Sequence, residues 1–289
     1  MGREAYLVKR FDPESARLID AAIEILERLG VQMTVRQLYY QCVASDLIPN
    51  SAKSYKRVVR VVRDGRLAGL IDWDHIEDRL RVPRVPSTWD DAGSFMRDVR
   101  HAFHLDRWEG QDQRVEVWVE KDALAGICGD VARAWQVTMQ VNRGYSSVSA
   151  MREAAERVRR FNREGIAVTI GYLGDHDPSG EDMVRDVRDR LAMFGATVDV
   201  VKLAILEDDI AEYDLPPQPV KDSDARADAF RAKHGEACVE LDALRPDVLS
   251  GRIQGFITER LNVLEWQARV HEEDRQRERL IPKGKRGKA

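Results

Sequence analysis

The sequence predicts an α/β chain in two parts, helices first and then a parallel sheet flanked by helices. Three observations carry this. Between residues 13 and 66 the apolar residues recur at helical spacing, and each helical run begins at a capping residue. From about Gly110 the pattern changes to short β-branched runs alternating with longer helical ones, which implies a parallel sheet. In Ile170-Gly171-Tyr172-Leu173-Gly174-Asp175-His176-Asp177-Pro178-Ser179-Gly180 an apolar run ends on two carboxylates, a proline and a glycine. That is a strand delivering acid to a loop that can open a helix.

The first helix spans residues 13–29: Asp12 caps it, Leu18, Ile19, Ala22, Ile23, Leu26 and Leu29 share a face, and Gly30 stops it. A second starts at Thr34 with Val35, Leu38, Tyr39, Cys42 and Val43 at helical spacing. Pro49-Asn50 breaks the chain, and Ser51 opens a third helix. There Tyr55, Val58, Val59 and Val62 form an apolar stripe, while Lys53, Lys56, Arg57, Arg60 and Arg63 gather on another side. Gly65 and Gly69 flank a short segment, and Leu70-Ile71-Asp72-Trp73 reads as a strand and turn. Three helices and a small β element predict a winged helix, whose third helix would enter the major groove of double-stranded DNA. A solvated charged face is the alternative reading of that stripe.

Residues 82–89 read as an extended connection and 92–103 as a helix, placing a boundary near Gly110. Residues 1–110 then form a DNA-binding domain and 111–281 a sheet domain with a C-terminal helical extension. The expected order is strand 115–119, helix 123–135, strand 139–142, helix 148–161, strand 166–173, helix 179–194 and strand 197–203. Pro216, Pro217 and Pro219 interrupt regular structure before helical patterning returns at 228–233, 246–257 and 261–277. Residues 282–289 carry four positive charges and no acid, and read as a basic flexible tail.

Composition narrows the function classes. With 289 residues, 43% hydrophobic and 33% charged, the chain is long enough to bury a core and is not a disordered polyelectrolyte. No apolar run approaches the roughly 18 residues of a membrane span, and the first residues lack a secretory core, so the expected location is cytoplasmic, without a membrane partner. Cys42, Cys128 and Cys238 have neither zinc-ligand nor disulfide-framework spacing. The net charge of −4 argues against indiscriminate polyanion binding, yet residues 51–66 hold a surplus of five positive charges in sixteen positions.

Three strand-to-helix turns would bring polar residues to one sheet edge: Val119-Glu120-Lys121-Asp122, residues 142–147, and residues 174–180. Glu120, Asp175 and Asp177 are then the candidate ligands of one Mg²⁺, which takes few carboxylates and fills its shell with water and phosphate oxygens. Asp-x-Asp-Pro taken alone also suits a helix cap or an Asx-turn. Lys121 is either a phosphate contact or a counter-ion, and His176 either a phosphate contact or an exposed loop residue. On the second helix, neighbours point about 100° apart, so only one of Tyr39 and Tyr40 faces the core. Tyr39 continues the apolar series, which turns the Tyr40 hydroxyl outward beside Arg36, one helical turn earlier. A phenol with a pKa of about 10 is a weak nucleophile, but a nearby arginine favours its phenolate and can hold the attacked phosphate. Two tyrosines packing a helix onto its neighbours is the other reading.

Thr34-Val35-Arg36-Gln37-Leu38-Tyr39-Tyr40 resembles the tyrosine motif of the topoisomerase VI A subunit and the meiotic double-strand-break transesterase. Val119-Glu120-Lys121-Asp122 and Asp175-His176-Asp177-Pro178-Ser179-Gly180 resemble that family's Toprim motifs, Gly144-Tyr145-Ser146-Ser147 falls at its glycine-tyrosine turn, and residues 213–217, 221–224 and 240–244 resemble its C-terminal segments. The likeness runs in order from about residue 15 to residue 257. It implies a winged-helix domain followed by a Toprim domain, with Tyr40 as nucleophile, Arg36 as its assistant and Glu120, Asp175 and Asp177 as Mg²⁺ ligands. It further implies DNA double-strand cleavage through a 5′-phosphotyrosyl intermediate, by a homodimer whose tyrosine and metal come from different protomers. The chain is short for the family and most like the stand-alone A-like proteins of phages and mobile elements. It contains no GHKL ATPase and no P-loop, so strand passage would need a separate ATPase subunit. A hydrolytic Toprim nuclease that does not use Tyr40, and a non-catalytic DNA-binding subunit of a larger complex, are the alternatives.

Overall fold

The computed structural model describes residues 2–76, 86–142 and 146–280. The expected connection at 82–85, the glycine-tyrosine pair at 144–145 and the basic tail lie outside the described residues.

Local capping chemistry sets the first three helices. The Asp12 carboxylate accepts from Ser15 N at 2.8 Å to start α1 (Pro13–Leu29), and Gly30, at φ 63°, ends it in the left-handed conformation. Thr34 and Gln37 form a reciprocal capping box on α2 (Val35–Ala44), and Ser51 caps α3 (Ala52–Leu67). The three helices pack pairwise around Ile19, Leu26, Leu38 and Val62. On α3 the buried series is Val58, Val61, Val62 and Gly65, at i, i+3, i+4 and i+7, whereas Val59 stays 39% exposed. Val58 and Val62 are buried as expected and Tyr55 packs against the core, while Val61 and not Val59 completes the stripe.

The strand expected at residues 70–73 is not formed. Gly69 turns the chain with φ 72°, Ile71 folds back beneath Gly65, and a 3-10 turn at Trp73–His75 follows, capped by Asp72. The Arg66 guanidinium stacks 4.3 Å over the Trp73 ring. Burying Ile71 and covering Trp73 takes precedence over an extended ladder, so among the described residues this region's β structure consists of two isolated bridges, Ala5 to Ala68 and Met33 to Ile76. Helix α4 (Ala92–Ala102) follows, with no buried residue.

The sheet contains β1 (Gln113–Val119), β2 (Thr138–Val141), β3 (Ala167–Leu173) and β4 (Asp199–Ala204), all parallel, in the order β2-β1-β3-β4. The crossovers are α5 (Ala125–Ala134), α6 (Val148–Arg163) and α7 (Pro178–Met193). Because β2 lies to one side of β1 and β3 to the other, the chain reverses direction between β1 and β3, and their carboxyl ends frame the crevice where open α/β sheets bind ligands.

Side-chain alternation assigns the two faces. Trp118, Ile170 and Tyr172 pack under α6 and α7, while Val115, Val117 and Val119 join α5 and α10 (Pro246–Thr258). Gly171 faces α10, where a Cβ would lie 2.6 Å from Leu203 Cδ1 and 2.8 Å from the Phe256 ring, so a larger residue would have to displace those side chains. The α5/α10 face and the first three helices share one continuous apolar cluster.

Between β4 and α10 run α8 (Glu207–Glu212), α9 (Ala227–His234) and a two-stranded antiparallel hairpin of β5 (Gln218–Pro219) with β6 (Ala237–Cys238). Helix α11 (Val263–Arg279) completes the fold. No helix of the described residues is long and apolar enough to cross a membrane.

Candidate functional site

The carboxyl ends of β1 and β3 bring Glu120 and Asp175 together. Glu120 Oε2 accepts from Asp175 N at 3.0 Å, across the turn that Gly174 makes beside Tyr172. A Cβ on Gly174 would lie 2.9 Å from that Glu120 oxygen, and one on Gly180 would lie 2.2 Å from the Asp175 carbonyl oxygen. At Gly180 the contact is with backbone, so a side chain there would push the loop open, whereas at Gly174 it would push aside the Tyr172 and Glu120 side chains. Asp177 does what turn chemistry allows: its Oδ1 accepts from Gly180 N at 2.7 Å and starts α7. Asp175 Oδ1 accepts from Leu241 N at 2.7 Å and pairs with Lys121 Nζ at 2.8 Å.

The hairpin and the residues after it close this edge. His176 and Val239 exchange backbone hydrogen bonds in both directions, at 2.8 and 2.9 Å, zipping the acidic loop to the end of β6. His176 is neither exposed nor open to phosphate: it is 1% exposed, its Nδ1 lies 3.1 Å from Glu181 Oε1, and its ring packs 5.2 Å from both Phe230 and His234. Lys202 pairs with the same Glu181 and donates to the Asp175 carbonyl at 3.1 Å.

Lys121 is a counter-ion here. Its Nζ lies 2.8 Å from Asp175, 3.0 Å from Glu240 and 3.0 Å from Asp242. Burial favours the neutral amine, but the charges of Asp175, Asp242 and Glu240 outweigh it and hold Lys121 firmly protonated. Glu240 also accepts from Arg36 Nη2, which ties α2 to the sheet edge. Asp242 is fully enclosed, and neither of its oxygens accepts a well-directed hydrogen bond.

Tyr40 corrects the expectation of an outward hydroxyl. It is 3% exposed and Tyr39 4%. Tyr39 does face inward, donating to Asn50 Oδ1 at 2.9 Å and accepting from Ser51 N at 2.8 Å. The other side of α2 is not solvent, because residues 217–219 and 240–243 cover it. Gln41 Nε2 reaches the Ala243 carbonyl at 3.4 Å, and Gln218 Nε2 donates to the Tyr40 hydroxyl at 2.9 Å. Helical spacing cannot anticipate a segment arriving from nearly 180 residues away.

Two cavities meet at that cover. One, of about 410 Å³, is lined by Arg36, Tyr39, Tyr40, Tyr55 and the start of α3. The other, of about 290 Å³, is lined by Asp175, Asp177, Ser179 and Lys221. Gln218, Pro219 and Glu240 line both. The tyrosine and the acidic edge of one chain are thus neighbours, linked through Arg36, Glu240, Lys121 and Asp175.

No protein-family model, curated protein or solved structure matches this chain.

The electrostatics of the acidic edge are unbalanced. Burial, followed by the charges of Asp175 and Asp177, pushes Glu120 up to about 7. Burial also raises Asp175, against the pull of Lys121. Tyr40 is pushed up to about 12 by burial and then by Glu240, with Arg36 opposing. Burial would raise Glu240, but Lys121 and Arg36 overcome it and hold the carboxylate below its ordinary range.

Among the described residues no three His, Cys, Asp or Glu side chains converge as a ready-made metal cage. Glu120, Asp175 and Asp177 do share one edge, and their hard oxygen donors suit Mg²⁺. Burial first, and the charges of Asp175 and Asp177 second, raise Glu120; the second cause is one that a divalent cation would offset.

Of the basic residues on α3, Lys53, Lys56, Arg60 and Arg63 are exposed. Arg57 pairs with Glu14 at 2.9 Å and Arg63 with Asp64 at 2.7 Å, which leaves Lys53, Lys56 and Arg60 without an ion pair among the described residues. Pattern reading assigned no role to Gln218, Glu240 or Asp242. The available signal was the pair of acids in Glu240-Leu241-Asp242, following the short β-prone run Ala237-Cys238-Val239.

Proposed function

We propose that this chain is a topoisomerase VI A-like DNA transesterase, with the N-terminal helices acting as a winged-helix docking unit and the parallel sheet as a Toprim unit. The observation that carries this reading is the shared wall: the cavity holding Tyr40 and Arg36 adjoins the cavity holding Asp175 and Asp177. Lys53, Lys56 and Arg60 supply unpaired positive charge on α3, the helix whose first turn lines the tyrosine cavity, which suits phosphate contacts along a duplex.

In this reading the Tyr40 oxygen attacks a backbone phosphorus and the bond to the 3′-oxygen breaks, leaving a 5′-phosphotyrosyl link and a 3′-hydroxyl. Arg36 holds the phosphate and favours the phenolate. Glu120, Asp175 and Asp177 would hold Mg²⁺, which when bound supplies charge stabilisation at the phosphate and the departing oxygen. Gln218 orients the phenol. The resemblance implies a tyrosine and a metal from different protomers, whereas here the two cavities adjoin within one chain; a homodimer with one such site per protomer would cut both strands, and strand passage would need a separate GHKL ATPase.

The test is incubation with supercoiled DNA and Mg²⁺, denaturation, and analysis of the DNA ends. Protein bound covalently to 5′ ends is expected, and the link is lost in Tyr40→Phe. Cleavage without attachment that survives Tyr40→Phe but not Asp175→Asn would replace this reading with a hydrolytic nuclease. DNA binding without cleavage under any metal would replace it with a non-catalytic subunit.

A further inference from the structure

Glu240 is held by two cations from different parts of the fold. Its Oε2 accepts from Arg36 Nη2 on α2 and from Lys121 Nζ, 3.0 Å away, in the turn after β1. One anionic oxygen shared between a guanidinium and an ammonium is also the way such a pair grips a phosphate. Arg36 and Glu240 line the same cavity as Tyr40, and Lys121, which does not line it, holds the same Glu240 oxygen, so an anion in place of that carboxylate would lie beside Tyr40. Asp242 pairs with the same two cations but is sealed from solvent. Glu240 retains 23% side-chain exposure and lines both cavities, so it is the member of the cluster that a ligand meets. It sits just beyond β6, whose ladder is only two residues long.

We propose that Glu240 is a built-in anion placeholder: its carboxylate occupies, between Arg36 and Lys121, the position that a DNA phosphodiester takes, and binding displaces it. The identity of the anion as DNA rests on the function proposed above; the occupied cation pair does not. A tethered carboxylate competes at high effective concentration, so it weakens DNA capture until a phosphate with its own neighbouring contacts outcompetes it. The resting chain therefore keeps its nucleophile covered and its phosphate grip filled.

The probe is a fluorescent duplex oligonucleotide, titrated in EDTA by anisotropy against the full chain carrying Tyr40→Phe, so that no covalent step contributes. Adding Glu240→Gln should tighten binding about tenfold and steepen the slope of log K against log salt by about one. Glu236→Gln removes the same charge from the loop before β6 and should change binding by less than about twofold. Arg36→Gln added to Glu240→Gln should cancel the gain. Glu240→Asp, shorter by one methylene, should give a smaller gain of about threefold and serves if the glutamine variant is unstable. No gain from either Glu240 variant, or an equal gain from Glu236→Gln, overturns the proposal. A gain in EDTA, together with no covalent attachment by the wild-type chain in Mg²⁺, would retire the transesterase and leave the placeholder standing.

Discussion

Two clusters of buried charge in this chain look alike in composition and differ in closure. At Glu273 every oxygen is matched: Oε2 accepts from Leu105 N at 3.0 Å and Arg107 Nε at 3.2 Å, and Oε1 from Arg107 Nη2 at 2.7 Å and from Arg277. Burial would raise this carboxyl, but the Arg107 and Leu105 hydrogen bonds win and hold it down to about 2. At the sheet edge, Asp175, Glu240 and Asp242 share Lys121, the last two also share Arg36, Asp242 lacks a directed hydrogen bond, and Glu120 rises to about 7. The first cluster pins α11 to the residues before β1 and adjoins none of the described cavities. The second opens on two. A satisfied buried charge is architecture, whereas an unbalanced one beside a cavity is a candidate ligand site.

The sharpest way to break that contrast is Asp175→Asn. If the open cluster is a site, Mg²⁺-dependent DNA cleavage should fall at least about 10²-fold, as expected for removing a group that stabilises transition-state charge. Conversion of supercoiled plasmid to linear form measures it, and retained cleavage would make the sheet edge as structural as Glu273.

Glu273→Gln tests the closed cluster. It should cost about 3–5 kcal/mol by urea unfolding, because Arg107 and Arg277 are left without their buried partner, while cleavage per folded molecule stays unchanged. The folded value of Glu273 lies below its unfolded value near 4.5, so its contribution is complete above pH 4.5 and is lost as pH falls towards 2. That acid limb should be missing from the variant.

Glu120→Gln should do the opposite. Its folded value of about 7 lies above the unfolded value near 4.5, so the folded state binds the extra proton between these limits, and stability falls as pH rises from 4.5 to 7. In EDTA at pH 8 the variant should be more stable than the wild type, by on the order of 2 kcal/mol, and its unfolding should be flat across that window. A loss of stability would mean that the Glu120 bond to Asp175 N outweighs the charge it brings.

The smallest effect is expected on α3. Lys56→Ala and Arg60→Ala should leave stability within about 0.5 kcal/mol, and each should reduce the salt slope of duplex binding by about one if it contacts a phosphate. Unchanged slopes would return the basic stripe to a solvated face.

Much of this architecture follows from short-range chemistry. Asp12, Gly30, Thr34 and Ser51 delimit their helices because caps act within three or four residues. The four strands and their crossover helices were legible because alternation and helical spacing reflect burial on a repeating surface. The short β5 and β6, and the six-residue α8, were not, since two-residue strands and one-and-a-half-turn helices carry too little periodicity to stand out. The strand expected at residues 70–73 did not form because one buried isoleucine and a left-handed glycine outcompeted β propensity.

The sequence by itself determined which residue types stand at the strand ends, which helix carries Tyr40 and Arg36, and where positive charge accumulates. Only the tertiary structure decided that Tyr40 is covered, that His176 is buried behind the acidic loop, and that Glu240 bridges Arg36 to Lys121. Those outcomes depend on contacts far apart in sequence: His176 with Phe230, His234 and Val239, Tyr40 with Gln218, and Glu240 with Arg36 and Lys121. Pairing at that distance is selected by packing and charge balance in three dimensions, which no local spacing encodes.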